Sequence, residues 1–223
     1  MWIIPGALTA VLFPRFARVP VQGLRDAGAL FRRGVLLLFM VLYPVTLGIA
    51  LFADELLSLW IGAGFAGQSH RLLQVFALGI LVNCLAHVPF TFLQAVGRAR
   101  TVASIHLFEF PLFLLVLWLA AQTMGLMGAV FAWLLRMMID SVLMFYFAAA
   151  EMQYGIRNLQ IGKLSVLLLL TVGSYAALYV PSASGRVLTW AVAVLLGYLF
   201  CWKLLLRRED RVAVLRRVSY VTS

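Results

Sequence analysis

Residues 34–53 read GVLLLFMVLYPVTLGIALFA, and residues 72–94 read LLQVFALGILVNCLAHVPFTFLQ. Neither stretch contains Asp, Glu, Lys or Arg. As a helix, at about 1.5 Å per residue, each is long enough to cross a hydrocarbon core of roughly 30 Å. Four more runs have similar length and apolar character: 101–121, 124–149, 164–181 and 187–206. The run 1–13 covers only about 20 Å and reads as the last part of a helix whose start lies upstream. Composition agrees. The 223 residues are 64% hydrophobic and 12% charged, with a mean hydropathy of +1.02. A soluble domain is about one quarter charged, and one of this size could not hide so much apolar surface. The expected fold is therefore all-α, a polytopic transmembrane helix bundle of about six full helices plus a partial N-terminal one.

The charges lie between the runs. Segment 14–33 holds Arg15, Arg18, Arg25, Arg32 and Arg33, segment 95–100 holds Arg98 and Arg100, and segment 150–163 holds Arg157 and Lys163. Residues 203–217, KLLLRREDRVAVLRR, hold the next block. Of the basic residues, the alternate connections carry only Arg71 and Arg186, and apart from Lys203 at the end of the last run only Arg136 falls inside one. This alternation follows the positive-inside rule and predicts a cytoplasmic C-terminus, with Asp54, Glu55, Trp60 and His70 on the far side. The formal net charge of +10 is thus read as loops meeting anionic headgroups, not as a nucleic-acid surface. The expected organisation is a partial helix 1–13, a cytoplasmic amphipathic connection 14–33, a six-helix lobe 34–206 and a basic cytoplasmic tail 207–223. Cys84 and Cys201 stand far apart in separate runs and read as small core residues. No Gly-rich phosphate loop, nucleophile elbow or metal-binding motif is present in the sequence, so neither cofactor nor metal is expected.

Polar residues inside the runs are the candidate site. Run 72–94 carries Asn83, His87 and Gln94 on one helical face, and run 101–121 carries His106 and Glu109 three apart. Run 124–149 carries Arg136 and Asp140, a spacing of four that allows an ion pair within the helix. The topology puts Asn83, Glu109 and Arg136 near mid-membrane, and His87, His106 and Asp140 slightly to the cytoplasmic side. Ionisable groups at such depth are costly and usually face a protein interior or a wet cavity. Two readings follow: a buried clamp that holds three helices in register, or a cavity wall with a carboxylate that takes up a proton. Pro44, Pro89 and Pro111 lie within spans and loosen the helices there.

Four stretches in order carry a resemblance: LLSLWIGAGFAGQS at 56–69, FLQAVGRART at 92–101, SIHLFEF at 104–110 and GLMGAVFAWLLRMMID at 125–140. Together they resemble the C-terminal half of the oligosaccharide flippases of O-antigen and capsule synthesis, in the superfamily of lipid II flippases and multidrug and toxin extrusion transporters. The resemblance implies one lobe of a two-lobed transporter of twelve to fourteen helices working by alternating access, with the N-terminal lobe missing from this chain. It implies membrane lipids and a polyprenyl-diphosphate-linked saccharide as partners, and an inner-membrane location. Arg15, Arg18 and Arg98 would then meet the diphosphate or lipid headgroups at the cytoplasmic face. It also implies a cavity lined mainly by the first helices of each lobe, which would leave Glu109, Arg136 and Asp140 in the lobe's own scaffold. Three other functions fit the sequence: export of cationic drugs, a multipass enzyme on lipid-linked sugars using His70, Asp54 and Glu55, and a non-catalytic scaffold.

Overall fold

The computed structural model describes residues 3–19, 27–152, 171, 173, 180 and 182–202, all helical or in short connections. The chain divides into two compact units, Met1–Leu159 and Gln160–Ser223. The first holds α1 (Ile3–Ala17), α2 (Ala27–Leu51), α3 (Ala53–Trp60), α4 (Ala63–Ala95) and α5 (Ala99–Glu151). The second holds α6 (Ala183–Phe200). Four of these helices, α2, α4, α5 and α6, are long and apolar enough to cross a membrane. The molecule is an all-α, multi-pass membrane helix bundle.

At 53 residues α5 would be about 80 Å long if straight, far more than a bilayer holds. It folds back at Gly125, whose φ of 57° and ψ of −137° lie where side chains are not tolerated. The contacts across it give the register. Arg98, which caps α5, bonds Glu151 at its far end, and Arg136 lies over Phe113. α5 is thus an antiparallel hairpin of two arms, each about 39 Å long, matching the runs read at 101–121 and 124–149. At Gly128, three residues after the turn, a Cβ would strike the Ala120 carbonyl, so the two arms meet there backbone to backbone.

α4 is the hub of the first unit, with α1, α2, α3 and α5 all packed against it. Phe92, fully buried near its end, takes the edges of Phe16 from α1 at 5.3 Å and Phe31 from α2 at 6.0 Å. Phe31 in turn meets Phe145 of α5 at 5.8 Å. These edge-on contacts are the favoured geometry of aromatic pairs. Midway along α4 the Trp133 ring from α5 lies directly over Gly79, where any side chain would collide with it. Both cysteines are buried, as expected of small core residues. Pro44 and Pro89 are each followed two residues later by a threonine. Thr46 donates to the Leu42 carbonyl at 2.9 Å and Thr91 to the His87 carbonyl at 2.7 Å, so these hydroxyls bond backbone oxygens beside each loosened turn.

α4 ends in a Schellman cap. Gly97 sits at φ 83°, its N–H bonds the Gln94 carbonyl at 3.1 Å, and the Arg98 N–H bonds the Leu93 carbonyl at 2.8 Å. This builds the tight corner read at 95–100. Several boundaries differ from the sequence reading. α1 runs on to Ala17, past residue 13. α2 begins at Ala27, inside the segment read as a connection, because Phe31 belongs to the aromatic cluster rather than to an interface. The connection read at 54–71 is mostly helix: α3 starts with Asp54 and Glu55, which favour a helix N-terminus, and His70 lies on α4. The run 164–181 lies outside the described residues except for three positions, and the tail 207–223 lies wholly outside them.

In the second unit, Ser182 caps α6 by accepting the Gly185 N–H at 3.2 Å. Outward positions on α6 are apolar, among them Leu188, Leu195 and Leu196.

Replacing Phe92 by Ala should remove about 3 kcal/mol or more of stability, as for large-to-small changes in packed cores. Phe108→Ala, at a position 78% exposed, should cost less than about 1 kcal/mol. Reversible unfolding in mixed micelles measures both. Equal losses would show that the aromatic cluster is not the structural centre.

Candidate polar site in the α5 hairpin

The hairpin register decides which polar residues meet. His106 and Glu109 sit one turn apart on the first arm and share a face. The turn at Gly125 brings Asp140 of the second arm opposite them. The His106 Nε2 and Asp140 Oδ1 are 3.1 Å apart, with the Asp140 side chain 15% exposed and His106 at 41%. One ligand-type atom each from His106, Glu109 and Asp140 lies within 4.8 Å of the others. Glu109 is buried at 7% exposure, and neither of its carboxylate oxygens has a hydrogen-bond donor in range.

The local spacing of Arg136 and Asp140 allowed a pair within one helix, but Asp140 is paired with His106. The Arg136 guanidinium carbon lies 5.1 Å from the Phe113 ring centroid, a cation–π arrangement across the hairpin. Its buried Nε makes no hydrogen bond. The tertiary contact wins because a side chain that crosses to the facing arm reaches a partner the helix surface does not offer. Arg136 remains close enough to Glu109 to act on it electrostatically.

α4 contributes the other candidates. Phe90 stacks on the His106 ring at 6.2 Å and 17°, and meets the His87 ring edge-on at the same distance. His87 is therefore one aromatic ring removed from the trio. Asn83, half-buried one turn earlier, is not joined to the trio by a hydrogen bond among the described residues. Phe90 and Phe113 carry no polar group and were not legible as site residues; only the packing of α4 against the hairpin reveals them.

The basic candidates gather at one end of the first unit. α1 and α4 finish there, α2 begins there and both ends of α5 meet there, as the Phe16–Phe92–Phe31–Phe145 contacts require. Arg15 and Arg18 are exposed at the end of α1. Arg98 is 56% exposed and its Nε donates to Glu151 Oε2 at 2.8 Å. Sequence reading did not pair Arg98 with Glu151, since the two stand 53 residues apart. The bond closes the open end of the hairpin.

Chemically, the trio offers one imidazole and two carboxylates in an apolar surround. Such a set can hold a proton or a cation, or line a polar path. Among curated proteins the chain is similar to one from Shigella flexneri described as "Putative O-antigen transporter", with 30% identity over 142 residues. The match covers 64% of this chain and 34% of that protein, so it spans about a third of the relative's length. No protein-family profile matches the chain, and no solved structure matches it.

Glu109→Gln preserves shape and removes a buried carboxyl group that has no hydrogen-bond partner, so it should leave thermal stability in chelator-treated detergent solution unchanged or raise it. Asp140→Ala removes the acceptor opposite His106 and should cost about 1–2 kcal/mol. Thermal unfolding of the two purified variants beside the parent separates these outcomes.

Proposed function

We propose that this chain is one lobe, corresponding to the C-terminal half, of a flippase that moves a polyprenyl-diphosphate-linked oligosaccharide across the cell inner membrane. The observation that carries the proposal is the similarity to the O-antigen transporter, which extends over 64% of this chain. Two physical features support it. A cluster of ionisable groups is held inside an otherwise apolar hairpin, where it is costly to keep without a use. At one end of the bundle, Arg15, Arg18 and Arg98 are exposed, and guanidinium forks suit a diphosphate. In the proposed orientation that end and the C-terminus are cytoplasmic, following the charge alternation of the sequence. A second lobe, in the same polypeptide or a separate one, would complete the cavity for alternating access. The lobe acts on membrane lipids and the lipid-linked saccharide, and its role is transport rather than catalysis.

The test is complementation. In cells lacking their own O-antigen flippase, the intact gene should restore O-antigen at the cell surface. Arg98→Ala and Arg136→Ala should each lower that restoration about tenfold at equal protein level, the effect of losing roughly 1.4 kcal/mol of stabilisation. Absence of restoration together with ethidium efflux from the same cells would move the assignment to a multidrug exporter. Unchanged export by Arg98→Ala would remove Arg98 from the mechanism.

A further inference from the structure

The trio His106, Glu109 and Asp140 holds a buried carboxyl group to which the protein itself offers no hydrogen-bond partner. A carboxylate taken out of water needs donors or a counter-charge, because the cost of an isolated buried ion is several kcal/mol or more. Glu109 is 93% buried, and no hydrogen-bond donor reaches either of its oxygens. Arg136 of the second arm does not close onto it: its guanidinium is held over Phe113 on the facing arm. A second carboxylate, Asp140, stands within 4.8 Å and has one oxygen turned to the His106 ring.

We propose that His106, Glu109 and Asp140 bind a single divalent metal ion of the zinc or manganese type. The donor set selects the class. One imidazole nitrogen with two carboxylate oxygens suits first-row divalent ions, whereas calcium and magnesium favour all-oxygen surrounds. Charge agrees within the trio itself, where two carboxylates and one doubly charged cation sum to zero. Geometry agrees as well. Zinc with bonds of about 2.0–2.2 Å holds tetrahedral ligand atoms about 3.4 Å apart, so ligand atoms that now lie within 4.8 Å of one another must close by up to about 1.4 Å, within the reach of side-chain torsions. In doing so His106 exchanges its hydrogen bond to Asp140 for the metal. The stacked Phe90 ring fixes the plane of the imidazole, the orienting role that outer groups play at metal sites. Three protein ligands leave a fourth position open for water or another oxygen donor. The site joins the two arms of one hairpin and does not involve the basic end of the bundle.

The test is titration of zinc chloride into the purified, chelator-stripped full chain in lipid nanodiscs, followed by calorimetry. One zinc per chain is expected. Glu109→Gln and Asp140→Asn, which keep side-chain shape, should each weaken binding more than about tenfold. His70→Ala, in the part-buried first third of α4 outside the trio, should leave binding unchanged. Circular dichroism of each variant confirms that the helices are intact. Absence of zinc binding to the folded parent overturns the proposal, as does equal binding by folded Glu109→Gln. Binding is read without transport, so this result stands apart from the complementation experiment.

Discussion

Everything in the first unit depends on one fold-back. A continuous helix of 53 residues cannot lie straight across a bilayer, and α5 solves the conflict at a single backbone position. Gly125 takes a conformation that a side chain would forbid, and Gly128 then lets the returning arm approach the Ala120 carbonyl closely. The register fixed by that turn sets every later contact: Phe113 with Arg136, His106 with Asp140, Arg98 with Glu151. A shift of one residue in the hairpin would rotate Asp140 by about 100° away from His106 and undo the polar cluster.

The two sides of the first unit are built differently. α1, α2 and α4 bury a dense apolar and aromatic core, with Tyr43, Phe16 and Phe92 wholly enclosed. α5 instead presents Leu107, Phe108, Trp118 and Leu126 outward. In water that surface would be a severe liability, but in hydrocarbon it costs nothing, since lipid tails are as apolar as leucine. Association of α5 with α4 therefore relies on close fit, as where the Trp133 ring lies over Gly79.

The polar cluster inverts this economy of apolar contacts. Glu109 is deeply buried and makes no hydrogen bond, and the buried Nε of Arg136 likewise has none. In a low-dielectric setting such groups are retained only where something else compensates them. The surrounding rings, Phe90 and Phe113, hold the imidazole and guanidinium in place without satisfying them. Orientation is thus supplied by aromatic packing.

The amino-acid sequence by itself determined the helical, membrane-spanning class, because runs such as 34–53 and 72–94 are too long and too apolar for any other environment. It also marked the corner at Gly97, the break near 122–123 and the shared face of His106 and Glu109, since each follows from local backbone chemistry or helical spacing. It placed Arg136 beside Asp140 for the same reason, and there local spacing misled. Only the tertiary structure decided that Asp140 belongs to His106, Arg98 to Glu151 and Phe31 to the aromatic core. Those partners are 34, 53 and 61 residues apart. The physical reason is that a helix surface specifies neighbours three and four positions away, whereas contacts between helices depend on the register of a turn and on which faces pack, and no local pattern encodes either.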